Sequence, residues 1–166
     1  MTNKGRFYRI MARIPSETEM KISPAFQKRL LEIIEDHECN KYEFASFVGI
    51  SKGVITRATI YGIVPSLQSL IKIADKLDIS LEYLLGNNKD NFYRADSPTN
   101  FYSRLEQLRG TQKYSEIARK MPFPENFFYE WKRRGTIPSL ENLIAIAQYF
   151  DVSIDYLLGR TDDKHN

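Results

Sequence analysis

The sequence contains very little cysteine and histidine, and this scarcity excludes several classes of protein. Its 166 residues include one cysteine, Cys39, and two histidines, His37 and His165. A single cysteine cannot form an internal disulfide, which fits a reducing cytosol, so we expect a cytoplasmic protein. Two histidines so far apart in the chain are too few for a metal site. We therefore expect neither a disulfide framework nor a bound metal.

Long hydrophobic runs and catalytic motifs are also missing. No apolar run approaches the roughly 20 residues that span a bilayer, and the N-terminus lacks the apolar centre of a secretory signal. We find no glycine-rich phosphate loop, no pair of catalytic carboxylates and no nucleophile motif. The sequence therefore predicts a protein that is not an enzyme, uses no cofactor and has no membrane partner.

Positive charge is modest and unevenly distributed. The chain has 24 basic and 21 acidic side chains, a net charge of +3. Residues 1–23 hold five basic and two acidic side chains, so the excess lies in this N-terminal arm. We leave two interpretations open for the arm: a flexible terminus, or a basic arm that lies along phosphates or in a minor groove.

What the sequence has is an internal repeat. Residues 65–86 read PSLQSLIKIADKLDISLEYLLG, and residues 138–159 read PSLENLIAIAQYFDVSIDYLLG, at a constant offset of 73 positions. A repeat of this period decides how many domains to expect. We predict two copies of one small helical domain, with these boundaries: an arm at 1–23, domain 1 at 24–88, a linker at 89–99, domain 2 at 100–160 and a tail at 161–166.

Helical spacing of apolar residues predicts five helices in each copy. Ser23 and Pro24 form a good helix start, Gly49 supplies the turn after the second helix, and Ser51 is expected to cap the third. The predicted bounds are 24 to about 37, 41–48, 52–61, 67 to about 77 and 81–85. In the second copy the third helix is predicted at 125–134.

The middle of each copy has the features of two helices joined by a tight turn. Ala45 and Ala118 permit close approach of the two helices, and Gly49 allows the chain to turn sharply. Ile50 and Phe123 follow the turn and are expected to anchor it in the core. This is helix-turn-helix geometry, in which the second helix projects its N-terminal side chains outward.

Residues 40–57, NKYEFASFVGISKGVITR, are followed by PSLxxLIxIA and SLEYLLG. The whole pattern resembles the phage-repressor helix-turn-helix family (Cro and lambda repressor, or XRE), in two tandem copies covering nearly all of 24–160. The resemblance implies an all-α fold of two lambda-repressor-like domains of five helices each. It also implies a sequence-specific DNA-binding transcriptional regulator, repressor-like and of bacterial or phage type, with the third helix of domain 1 in the major groove.

Carried over by position, the resemblance assigns DNA contact to one set of residues in domain 1. Lysine can donate to guanine or phosphate, and threonine offers a hydroxyl and a methyl to base edges. The amides near Asn40 are expected to face a phosphate. An ordinary solvated helix surface is the alternative interpretation. The assigned residues are Lys41, Ser51, Lys52, Gly53, Thr56 and Arg57.

The second copy departs from the family pattern, with Pro-Phe-Pro at the turn and carboxylates on the expected recognition surface. Phe127 and Tyr129 are expected to be exposed, and exposed aromatic side chains more often mark a surface that contacts another protein. Trp131 is expected in the core. Domain 2 is either a second DNA reader, so that one chain binds two half-sites, or a domain for homodimerisation or for a regulatory protein. Charge favours the second interpretation. The surface comprises Glu125, Asn126, Tyr129, Lys132, Arg133 and Arg134.

Two functions therefore remain open at this point. The first is transcription regulation through double-stranded DNA. The second is a protein-interaction regulator, such as an antirepressor or a dimerisation module, that keeps the fold while its second domain does not bind DNA.

Overall fold

The computed structural model describes residues 21–87, 101–135 and 137–165. Within these ranges the chain is helical, and the only β-type pairing is an isolated bridge between Ile22 and Ile63. The all-α prediction is confirmed. A first set of helices comprises α1 (Pro24–Asp36), α2 (Lys41–Val48), α3 (Lys52–Tyr61), α4 (Leu67–Leu77) and α5 (Leu81–Leu84). A second set comprises α6 (Phe101–Arg109), α7 (Tyr114–Arg119), α8 (Phe127–Arg134), α9 (Leu140–Phe150) and α10 (Ile154–Leu157).

The start and end signals of the first set lie where the residue types place them. The Phe26 amide donates to the Ser23 hydroxyl at 3.2 Å, and Pro24 occupies the first turn, where its missing N–H costs nothing. Helices α2 and α3 have the predicted bounds. Helix α5 ends at Leu84, one residue earlier than predicted.

The third helix of the second set begins later than predicted. It starts at Phe127, not at residue 125, and the Phe127 amide closes a turn onto the Pro124 carbonyl at 3.0 Å. Pro122 and Pro124 have no N–H to donate and restrict the backbone around them, so the chain turns before it can coil. As a consequence, Glu125 lies in this turn and not on a helix.

Three helix pairs that pack together in the first set have counterparts in the second, although the first set also packs α1 against α3 and α2 against α4. Helix pairs α1–α5, α2–α3 and α4–α5 are in contact in the first set, and α6–α10, α7–α8 and α9–α10 repeat them in the second. Large side chains fill both interiors, and burying each contributes about 1.5–3 kcal/mol relative to exposure. The fully buried ones are Phe26, Leu30, Phe44, Ile55, Leu70, Ile73, Leu81, Leu84, Ile117, Leu143, Ile146 and Leu157.

An arginine–tyrosine stack occurs in both sets. The Arg29 guanidinium lies 4.1 Å from the centroid of the Tyr83 ring, and Arg104 lies 4.2 Å from that of Tyr156. The tyrosines are 73 positions apart but the arginines are 75 apart, because α6 ends five residues after Arg104 whereas α1 ends seven residues after Arg29. The similarity of the two sets therefore extends to side-chain packing. That they are independent tandem domains stays a prediction.

The ends of the described ranges are held by hydrogen bonds. The Val64 amide donates to the Lys21 carbonyl at 2.8 Å, so the last residues of the predicted arm pair with the chain after α3. The predicted tail packs on the second set, because Thr161 is buried and the Ser153 amide donates to the Lys164 carbonyl at 2.6 Å. The remainder of the arm, residues 1–20, and the linker at 89–99 lie outside the described residues.

Gly86 should tolerate no side chain, and this gives a stability prediction. Its φ is +76°, and a Cβ there would lie 2.8 Å from the backbone of Ala25 at the start of α1. We expect Gly86→Ala to lower the free energy of unfolding by about 2–3 kcal/mol, measured by urea titration. Gly53→Ala is the control, since its Cβ would meet only Arg57 at 3.6 Å and alanine favours a helix. Equal losses in the two variants would contradict this explanation.

Candidate nucleic-acid interface

The turn between α2 and α3 has the conformation that the sequence predicts. Gly49 has φ +70°, in the left-handed region that favours glycine, and the Ile50 amide donates to the Ala45 carbonyl at 2.9 Å. Ala45 is completely buried, so the two helices approach closely at this point. The chain leaves the turn at Ser51 and enters α3 with the first turn of that helix exposed.

The outward surface of α3 carries Lys52, Gly53 and Arg57, all exposed, and the half-exposed Thr56. The position of a Cβ on Gly53 would be 3.6 Å from an Arg57 guanidinium nitrogen, so the missing side chain leaves room beside the guanidinium. Thr56 Oγ1 donates to the Lys52 carbonyl at 2.8 Å. The Thr56 hydroxyl can therefore still accept a hydrogen bond from a ligand, and its methyl group is available for contact, but its proton is engaged by the Lys52 carbonyl.

The cations of this surface have no acidic partners within the described ranges. In the parts of the chain that the structure describes, no carboxylate forms an ion pair with Lys41, Lys52 or Arg57. The Lys52 ammonium lies 5.0 Å from the centroid of the Tyr42 ring, which holds the charge over the α2–α3 junction. Sequence analysis missed Tyr42, although an exposed aromatic next to Lys41 is a recognisable signal.

Two expectations about backbone and capping groups need revision. The amides of Tyr42 and Glu43 already donate to the Asn40 side chain at 2.9 and 3.0 Å, so they are not available to a phosphate while that cap is in place. Ser51 is the N-cap residue of α3 as predicted, but its hydroxyl makes no bond to an amide of that helix. The carbonyl of Ser51 accepts the Val54 amide at 3.0 Å instead, which leaves the exposed hydroxyl available to a ligand.

The corresponding surface of the second set has its cations paired with carboxylates. Tyr129 lies on α8 and is 68% exposed. Glu125 and Asn126 were also expected on this helix surface, but they lie before the start of α8. Hydrogen bonds from Arg119 and Arg133 lower the pKa of Glu125 and Glu130, so both carboxylates stay charged at neutral pH. The pairs are Arg119–Glu125 at 2.7 Å, Lys132–Glu106 at 3.1 Å, Arg133–Glu130 at 2.9 Å and Arg134–Glu130 at 3.7 Å.

An aromatic cluster lies behind that surface. The ring of Phe127 is 3.9 Å from that of Phe123 and 3.6 Å from that of Trp131, measured between centroids. The expectation that Phe127 is exposed is therefore wrong, because the late start of α8 turns this residue toward Phe123. Trp131 packs in the cluster as expected but stays partly exposed, and Phe128 fills the interior.

Two negative findings concern the described residues. Among residues 21–87, 101–135 and 137–165, no group of three or more His, Cys, Asp or Glu side chains is placed to hold a metal ion. None of the helices seen in those ranges combines the length and apolar character needed to cross a bilayer.

Comparison with known proteins identifies the class of the second set. Residues 100–165 match the family described as the Bacteriophage CI repressor helix-turn-helix domain, so this part of the chain is similar to helix-turn-helix domains of the phage repressor type. The resemblance seen in the sequence is confirmed there. The match falls on the copy that departs more from the pattern, and the tandem arrangement stays a prediction.

A relative from Bacillus subtilis (strain 168) carries the name "Uncharacterized HTH-type transcriptional regulator YobD". It is 34% identical to this chain over 65 residues, which are 38% of this chain and 58% of the relative. The chain thus spans little more than half the length of that relative. No solved structure gives a significant match. Both similarities are therefore to proteins of the helix-turn-helix type.

Proposed function

We propose that the protein is a sequence-specific transcriptional regulator, repressor-like and of bacterial or phage type, that places α3 in the major groove of double-stranded DNA. The observation that carries this proposal is the outward surface of α3, where Lys52 and Arg57 are exposed and have no carboxylate partner among the described residues. Exposed cations that have no carboxylate partner are free to bind phosphate oxygens or the edge of a guanine.

Each residue of the surface has a role that its chemistry supports. Arg57 suits a bidentate contact with the O6 and N7 atoms of guanine, beside the space that Gly53 leaves open. Thr56 offers its methyl group to thymine and its free lone pairs to an amino group. Lys41, Ser51 and Lys52 suit phosphate oxygens, which fix the register of the protein on the duplex. Because bacterial and phage DNA lies in the cytoplasm, we place the protein there.

The salt dependence of DNA binding tests this function. Each phosphate contact contributes about −0.9 to the slope of log K against log salt concentration. With phosphate contacts from Lys41 and Lys52, we expect a slope of about −2 or steeper, measured by fluorescence anisotropy on a duplex selected from a random pool. A shallow slope, or no preference for the selected duplex over a scrambled one, would count against DNA as the partner.

The paired cations and exposed Tyr129 of the second set favour a second candidate function for that set. Its surface suits contact with another protein, either a regulatory protein or a second copy of the chain that forms a homodimer. Sedimentation equilibrium of the wild type and of Tyr129→Ala tests the homodimer. A dimer that weakens in the variant supports it, and a monomer at all concentrations contradicts it.

A further inference from the structure

Helices α5 and α10 join the first and second sets through two equivalent hydrogen bonds. The Leu81 amide donates to the Asp155 carboxylate at 2.8 Å, and the Ile154 amide donates to the Glu82 carboxylate. Each helix thus has its first amide bonded to an acidic side chain of the other helix. Ile154 lies 73 positions after Leu81, and Asp155 lies 73 positions after Glu82, so the two bonds are equivalent.

Reciprocity of this kind indicates two-fold symmetry. In a symmetric dimer, residue i of one subunit contacts residue j of the other, and j contacts i in return. A head-to-tail arrangement of two repeats would give one of these bonds without the other. The two sets are therefore related by an approximate two-fold axis that passes between α5 and α10.

Equivalent residues of the two sets also lie close together in a second region, a cleft beside α4 and α9. A cleft of about 300 Å³ is lined by Lys21 and by two segments, 64–68 and 137–141, whose members are again 73 positions apart. These segments lead into α4 and α9 and follow closely after α3 and α8. The axis thus passes between equivalent residues at two separate places, and both helix-turn-helix units are connected directly to the segments beside it.

One additional interaction fixes the contact. Arg160 donates to the Asp75 carboxylate at 2.8 and 3.0 Å and to the Ile79 carbonyl at 3.3 Å, and it also pairs with Asp155. Asp155 is fully buried. The residue 73 positions before Arg160 is Asn87, so this guanidinium clamp is present once and not twice. The two sets therefore have a defined relative position that is only approximately symmetric.

We propose that the chain is an intramolecular pseudo-dimer, and that one copy occupies a DNA site made of two unlike half-sites. A two-fold axis puts α3 and α8 at the same level along the axis and on opposite sides of it, which is the symmetry of duplex DNA about its dyad. Half-sites on such a duplex are expected one helical turn apart, about 10 base pairs. The proposal rests on the proposed function of α3.

The two half-sites differ because the two surfaces differ. The α3 surface, with Lys52 and Arg57 unpaired within the described residues, reads base edges in one half. The α8 surface has its cations in exposed ion pairs, which contribute little to stability and exchange readily for phosphate. Arg133 and Arg134 therefore hold the other half mainly through its backbone. One chain thereby binds both half-sites, which is the alternative to the homodimer considered above for the second set.

The number of chains on a duplex tests the pseudo-dimer. We would select a duplex from a random pool with the full chain, count chains per duplex by native mass spectrometry and map the contacts by hydroxyl-radical footprinting. We expect one chain per duplex, protection over two successive turns and two dissimilar halves in the selected sequence. Two chains on a palindromic site, or protection of one turn by one chain, would overturn the proposal.

Variants separate this proposal from the function on which it rests. The double variant Arg133→Ala/Arg134→Ala should weaken binding roughly tenfold, with protection lost from the half without base preference. Arg57→Ala should weaken binding and alter the base preference in the half-site that α3 reads. If Arg57→Ala binds as the wild type does, the proposed function of α3 fails. If it binds weakly but two chains occupy each duplex, only the pseudo-dimer fails. Circular dichroism confirms folding of each variant.

Discussion

Lys52→Glu is expected to weaken binding of the selected duplex roughly 100-fold, with no loss of folded structure. The change removes a phosphate contact and places a carboxylate against phosphate, so that an attraction becomes a repulsion. Lys52 is exposed and its ammonium lies over the ring of Tyr42, so stability should change little. Arg57→Ala removes one contact without reversing charge and should cost 10-fold to 100-fold. Affinities are measured by anisotropy titration at a fixed salt concentration.

The control for net charge is Lys28→Glu. Lys28 lies on α1, outside the helix-turn-helix unit, and its ammonium is 3.8 Å from the Glu32 carboxylate on the same helix. The variant has the same change in charge as Lys52→Glu, but we expect a loss of only a few-fold. Equal losses in the two variants would mean that α3 has no special role and that only overall charge matters.

The second large effect concerns Glu82, whose carboxyl group lies in the contact between α5 and α10. Burial, together with the neighbouring Asp155 carboxylate, raises its pKa from 4.5 to about 9. The folded state therefore holds a proton that the unfolded state releases above pH 4.5. The contribution of this proton to the free energy of unfolding is complete below pH 4.5. It decreases as the pH rises and is lost near pH 9. Its slope is at most about 1.4 kcal/mol per pH unit.

Glu82→Gln should remove this pH dependence. Glutamine keeps an oxygen that accepts the Ile154 amide and has no acidic proton to lose. We expect the variant to be more stable than the wild type at pH 8, and its free energy of unfolding to vary less between pH 5 and pH 9, measured by urea titration. Glu125→Gln, on the exposed surface of the second set, is the control and should leave the wild-type slope in place. A destabilised Glu82→Gln variant at pH 8 would show that the carboxylate is charged there.

Much of the first set is predictable because single residues determine where its helices begin and end. Asn40 caps α2, Gly49 and Gly62 adopt positive φ after α2 and α3, and each constraint is local. The start of α8 is not predictable in this way. Two prolines and two phenylalanines compete there, and the position of Phe127 depends on packing against Phe123 and Trp131.

The candidate site was only partly predictable from sequence. The choice of Lys52, Thr56 and Arg57 came from a family resemblance, and the chain itself supplied only their residue types. The pairing of α8 cations with carboxylates depends on residues that are distant in sequence, such as Glu106 with Lys132. The contact between α5 and α10 was missed because an acidic residue in the first turn of a helix usually stabilises its own helix, whereas Glu82 and Asp155 each bond to the other helix.

The central claim is that the outward side chains of α3 contact base pairs, and selection from a random DNA pool with the wild type and with Arg57→Ala tests it most directly. We predict an enriched sequence for the wild type, and in the variant a loss of preference at one or two adjacent base pairs with the other positions unchanged. An identical enriched sequence for both proteins, or no enrichment with the wild type, would contradict the claim.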